Sequence, residues 1–103
     1  MKNNPITFYS RFEQDILSGL KTITIRNFDE SDYEVGVVMN AATYKDNRHF
    51  AKLKLLSITP IHFDDLNEIH AKQENMTLLE LKNIISDIYP NQKQLFVLQF
   101  ELA

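Results

Sequence analysis

The residues of this chain whose types and spacing could do chemistry gather in the segment Gly19-Leu20-Lys21-Thr22-Ile23-Thr24-Ile25-Arg26. Thr24 and Arg26 fall on one side of an alternating run and Lys21 stands just before it, so a hydroxyl, an ammonium and a guanidinium share one short element. A threonine hydroxyl becomes a nucleophile when a neighbour takes its proton, and a desolvated lysine can do that once its pKa drops towards ~7–8. Ser-Lys pairs use the same logic in place of a Ser-His-Asp triad. Arg26 would then hold a carbonyl or oxyanion. The same segment also reads as two β-forming threonines, Thr22 and Thr24, beside two solvated edge charges, Lys21 and Arg26, and the pattern alone leaves both readings open.

Glu74 lies in Lys72-Gln73-Glu74-Asn75-Met76, between two expected helices. A carboxylate on a connecting segment is a candidate general acid, because loops present side chains over a rigid scaffold. The bland reading is a solvated loop glutamate. His49, His62 and His70 lack the spacing of a catalytic zinc site, and His70 shares a face with Glu74 only if a helix runs through Asn75. Asp64 and Asp65 read as a cap and a first-turn charge. The only glycines, Gly19 and Gly36, begin no phosphate-binding loop. With no cysteine in the chain, a thiol nucleophile, thiolate metal sites and disulfides are excluded. Neither a metal nor an organic cofactor is expected.

The elements that must position these groups follow from periodicity. Residues 6–9 suit a short strand, and Ser10-Arg11-Phe12-Glu13 has the capping-box pattern of a helix with Phe12 and Ile16 on one face. Gly19 is a natural left-handed stop for it. Residues 22–26 alternate and are β-branched, so Ile23 and Ile25 should face a core with Thr24 and Arg26 pointing the other way. Val35 to Thr43 reads as a strand interrupted by Gly36, turning at Lys45-Asp46-Asn47 into a hairpin partner over 48–59 that ends near Pro60. Asp64 is placed to cap a helix over 65–72 with Leu66 and Ile69 inward. Thr77-Leu78-Leu79-Glu80 is a second capping box, opening a helix whose stripe of Leu78, Leu81, Ile84, Ile85 and Ile88 reads as core. A closing strand runs from Gln94 to Leu102. This order suggests an α+β protein whose sheet curls towards a barrel.

The bulk numbers fit that size of fold. The 103 residues make one expected domain over 1–103, with 44% hydrophobic and 24% charged residues, an ordinary globular profile. No run approaches the ~18 apolar residues of a membrane span, and the first residues lack a leader's apolar core, so a soluble, cytoplasmic protein is expected. A net charge of −3 argues against a surface built to track phosphates.

Residues 19–26 resemble the G-x-K-x-x-E-x-R signature of the ASCH domain, a PUA-like β-barrel superfamily associated with RNA, with Thr24 standing where most members carry glutamate. That departure, together with residues 70–78 (HAKQENMTL) and Asp87-Ile88-Tyr89-Pro90, is similar to one compact bacterial subgroup, the N4-acetylcytidine amidohydrolases. The likeness runs from Ile6 to Phe100. It implies a small mixed β-barrel with about three helices, and hydrolysis of N4-acetylcytidine to cytidine and acetate, with other N4-acylated cytosine derivatives accepted. It further implies Lys21 as base, Thr24 as nucleophile and Glu74 as general acid, with Arg26 as a substrate contact. The expected partner is a small nucleoside, with no stable nucleic-acid complex and no membrane. The competing expectation is a non-catalytic RNA-binding module of the PUA-like type, which would show salt-dependent RNA affinity and no turnover.

Overall fold

A computed structural model of the chain describes residues 5–103. Its strands are β1 (Pro5–Phe8), β2 (Ile23–Arg26), β3 (Val38–Thr43), β4 (His49–His62) and β5 (Gln94–Leu102), and its helices are α1 (Glu13–Leu17), α2 (Glu68–Gln73) and α3 (Leu78–Ile88), with short 3₁₀ turns over Ser10–Phe12 and Phe63–Asp65. The five strands form one mixed sheet in the order β1-β3-β4-β5-β2, with β1 parallel to β3 and the other pairs antiparallel. The expected α+β architecture is present, and the sheet curls as a barrel does. Among the described residues no ladder closes it: β1 and β2 are its two edges. No helix among the described residues is long and apolar enough to cross a membrane.

The long strand β4 is the spine. Its first half pairs with β3 and its second half with β5, and a bulge between Leu55 and Ser57 bends it between the two. It continues past Pro60 to His62, further than the sequence suggested. Beyond Leu55 the strand has β5 alone beside it, so a proline without N–H is tolerated there as on any edge. β3 starts at Val38 rather than Val35, because Gly36 takes a φ of +94° in a turn whose N–H bonds the Leu55 carbonyl at 2.8 Å.

Apolar residues gather on both faces of this coiled sheet. Ile6, Phe8, Met39, Leu53, Leu55, Leu98 and Phe100 fill the inner face with Ile16 of α1. Ile23, Ile25 and Leu95 pack outward against Leu66, Ala71, Leu81, Ile85 and Tyr89. Thr24 pairs in register with Leu98, so the side of β2 opposite Ile23 and Ile25 faces the inner core rather than water.

Several local expectations are corrected. Ser10 makes no cap bond, and Glu13 instead pairs with Arg48. The helix expected from Asp64 starts later, at Glu68, capped by Asn67, whose Oδ1 accepts the Ile69 N–H at 2.8 Å. That shift turns Ile69 outward, 68% exposed, while Leu66 stays buried. The capping box at Thr77 and Glu80 forms as expected.

Candidate active site

Lys21 is delivered by the end of α1. Gly19 adopts φ +81°, and the N–H groups of Leu20 and Lys21 both bond the Asp15 carbonyl, at 2.9 and 3.0 Å. Glu74, fifty-three positions later, is brought to it by the end of α2. Asn75 takes the left-handed conformation, its N–H bonds the Lys72 carbonyl, and the Met76 N–H bonds the Ala71 carbonyl, both at 3.0 Å. This is a Schellman ending, and it turns the chain so that Glu74 caps the helix. Two further bonds tie the α2 terminus to the segment before β2: Thr22 N–H to the Gln73 carbonyl at 2.9 Å, and Asn75 Nδ2 to Asp15 Oδ1 at 3.2 Å.

The outcome is a buried polar cluster. Lys21, Thr24 and Glu74 are 3%, 6% and 5% exposed. Lys21 Nζ donates to Glu74 Oε1 and to the Ile23 carbonyl, the latter at 3.0 Å. Its Nζ also lies 5.0 Å from the centre of the Phe12 ring and 5.9 Å from that of Phe8, so aromatic faces replace part of the lost hydration. Burial lowers the lysine's pKa from its ordinary value, against the opposing pull of the Glu74 carboxylate and with help from the Arg26 charge. Lys21 Nζ is spent on Glu74 and Ile23 and does not touch the Thr24 hydroxyl in this state.

Thr24 Oγ1 accepts from Arg26 Nε at 3.2 Å, while Arg26 also donates through a terminal nitrogen to the Thr7 carbonyl at 2.7 Å. Arg26 thereby spans the open edge between β2 and β1. Its guanidinium carbon sits 5.2 Å from the centre of the Phe8 ring.

These four residues line one cavity of about 210 Å³ at that open edge. All the residues expected to carry chemistry are thus brought together. The stripe of α3 is divided: Leu81 and Ile85 are buried core, yet they and the less buried Ile84 and Ile88 also form the cavity's aliphatic wall with Met76. Sequence reasoning took that stripe as core alone. It also missed the cavity's aromatic residues Phe8, Tyr9, Phe12 and Tyr44, and its acidic rim at Glu30, whose carboxylate accepts the Tyr89 hydroxyl. Burial first, then the bond to Glu30, raises the Tyr89 phenol well above its ordinary value, so it stays a donor. Only Asn75 carried a legible signal, as a residue suited to a left-handed helix end. His70 lies away from this chemistry, since α2 stops at Gln73 and the His70 ring accepts the Asn67 N–H at 3.2 Å as part of the cap.

No family model matches the chain. A Pasteurella multocida protein named N(4)-acetylcytidine amidohydrolase is 52% identical over 103 residues, spanning 100% of this chain and 99% of its own length. A Vibrio vulnificus (strain YJ016) protein of the same name is 53% identical over 96 residues, covering 93% of this chain and 92% of its own. Among solved structures, an ASCH domain from Lactobacillus crispatus superimposes with a TM-score of 0.80 over 98% of this chain and 80% of that one, at 12% identity. ASCH from Zymomonas mobilis gives 0.75 over 95% and 68% of the two chains, also at 12% identity. The remote structures establish an ASCH-type fold and the close sequences establish descent: this chain belongs to the N(4)-acetylcytidine amidohydrolase family.

Proposed function

We propose that this protein hydrolyses the amide of N4-acetylcytidine to cytidine and acetate, with Lys21 as base, Thr24 as nucleophile, Glu74 as general acid and Arg26 as oxyanion contact. The observation that carries the reading is the buried Lys21–Glu74 pair sharing one cavity with the Thr24 hydroxyl. A buried lysine and glutamate that hold one proton between them are an ion pair in one tautomer and a neutral amine beside a carboxylic acid in the other. The neutral tautomer has the base and the acid this reaction needs, and burial narrows its gap to the ion pair by penalising separated charge.

The steps balance as follows. Lys21 swings from Glu74 to Thr24 and takes the hydroxyl proton, and Oγ1 adds to the acetyl carbonyl. The oxyanion is held by Arg26, whose Nε already points at Oγ1. Glu74 protonates N4, the C–N bond breaks, and cytidine leaves. Its exocyclic nitrogen is conjugated into the ring, which makes it a better leaving group than an ordinary amine. Water then attacks the acetyl-threonine, giving one proton to the Glu74 carboxylate. Lys21 returns to Oγ1 the proton it took from Thr24, and the product leaves as acetic acid, which loses water's second proton to solvent and becomes acetate. The aliphatic wall of Met76, Ile84 and Ile88 supports acceptance of acyl groups other than acetyl. The physiological substrate in this reading is the free nucleoside.

The test is cytidine release from N4-acetylcytidine by purified protein, beside Lys21→Ala, Thr24→Ala and Glu74→Ala, with mass spectrometry of quenched enzyme. Loss of turnover in each variant and a transient mass increase of one acetyl group are expected. Full activity of Thr24→Ala would remove Thr24 from the chemistry. An active protein with no acetyl-enzyme in a single turnover would instead assign the attack to water, with Thr24 only orienting it.

A further inference from the structure

We infer that Glu30 is the residue that selects a riboside over the free base, by accepting hydrogen bonds from the vicinal 2′ and 3′ hydroxyls of the substrate's sugar. The inference rests on the proposed reaction and extends it to the rim of the same cavity.

The argument starts from the shape of the substrate. In an N4-acylated cytidine the amide leaves the ring at C4 and the sugar is attached at N1, directly across the six-membered ring. If the amide reaches the buried cluster of Lys21, Thr24 and Glu74, the sugar must emerge at the cavity's open end. Of the residues lining that cavity, the carboxylates are Glu74, buried at the reacting end, and Glu30, exposed at the rim. A carboxylate offers about four acceptor sites, and its two oxygens match the spacing of a cis-diol, the same chemistry by which an acidic residue holds a nucleotide ribose.

Glu30 is placed for this rather than left to wander. Its backbone N–H bonds Asn27 Oδ1 at 2.9 Å, closing a turn just after β2. The Tyr89 hydroxyl, just past the end of α3, donates to its Oε1, and both residues line the cavity. Its Oε2 has no hydrogen-bond partner among the described residues. The loop is tied down again where the Tyr33 hydroxyl reaches the Pro5 carbonyl at 3.2 Å. The carboxylate is thus pre-oriented by a neutral donor, with acceptor capacity to spare.

The experiment compares wild type, Glu30→Gln and Glu30→Ala on N4-acetylcytidine, N4-acetyl-2′-deoxycytidine and N4-acetylcytosine. Glutamine can still accept from Tyr89, so the rim's structure is kept while the charge is lost. Wild type should favour the riboside over both analogues in kcat/KM. Hydrogen bonds to a charged group lead us to expect that preference to shrink about tenfold or more in either variant. A wild type indifferent to the sugar, or variants that slow all three substrates equally, would overturn the inference. Calorimetry with cytidine and cytosine decides it without turnover: Glu30→Gln should lower the cytidine-to-cytosine affinity ratio by a similar factor. Inactivity of the wild type would overturn the proposed reaction, while the affinity ratio still judges Glu30.

Discussion

At the scale of single residues, the site is costly to fold. Lys21 and Glu74 are both nearly inaccessible, and two charges taken out of water are only partly compensated by each other. Lys21→Met alone strands a buried carboxylate and should cost about 3–5 kcal/mol in denaturant unfolding. Lys21→Met/Glu74→Leu removes both groups and should be at least as stable as wild type, gaining up to about 4 kcal/mol, though inactive. A double variant as unstable as the single one would show that the pair is no stability liability. The pair also predicts a bell-shaped pH profile for kcat/KM. In the proposed reaction the enzyme that turns over carries one proton on the pair. A second proton abolishes the base at low pH, and loss of the last one abolishes the acid at high pH. Since burial lowers the Lys21 pKa, the alkaline limb should fall below the ordinary lysine value. Replacing Glu74 by glutamine should erase the bell, and an unchanged profile in that variant would assign the limbs to other groups.

At the scale of elements, what joins Lys21 to Glu74 is the way two helices end. Gly19 and Asn75, both with positive φ, close α1 and α2, and the N–H of Thr22 then bonds the Gln73 carbonyl. Asn75→Gly removes the Cβ and keeps the left-handed turn at ease, whereas Asn75→Ala keeps the Cβ and loses the polar side chain that offsets its left-handed penalty of roughly 1–2 kcal/mol. The alanine variant should therefore unfold more easily than the glycine variant by about 1 kcal/mol and turn over more slowly, because the Glu74 carboxylate shifts with the turn. Equal behaviour of the two would mean that the Asn75 side chain, bonded to Asp15, does the positioning. Much of this was legible in advance. The alternation of Thr22 to Arg26 and the Thr77–Glu80 box depend on neighbours in sequence, and both elements formed as read. The Ser10 box failed because Glu13 had a better partner in Arg48, thirty-five positions away, which no local pattern reports. The 65–72 helix slipped because Asn67 offered a cap closer to its apolar face than Asp64 did.

At the scale of the molecule, the candidate cleft is the place where the curled sheet fails to close. Side chains tie the β1 edge across the gap: Arg26 of β2 to the Thr7 carbonyl, and Tyr33 of the loop after β2 to that of Pro5. This was the least legible part of the protein. Nothing in the sequence of β1 or β2 says that they are the two ends of one sheet, so the pattern left open whether the polar side of β2 was solvated; it faces the inner core at an open seam. Arg26 consequently has two tasks, holding Thr24 and holding the seam, and its fork geometry serves both at once. Lysine keeps the charge but offers a single ammonium on a flexible stem. Arg26→Lys should lower kcat and, by native-state hydrogen exchange, speed exchange of the Ile6, Thr7 and Phe8 amides about tenfold or more, as expected for losing a charged hydrogen bond. The β4–β5 ladder, remote from the seam, should keep its protection. Faster exchange throughout would mean Arg26 supports global stability, and unchanged β1 would mean that its parallel ladder to β3 alone holds that edge in place.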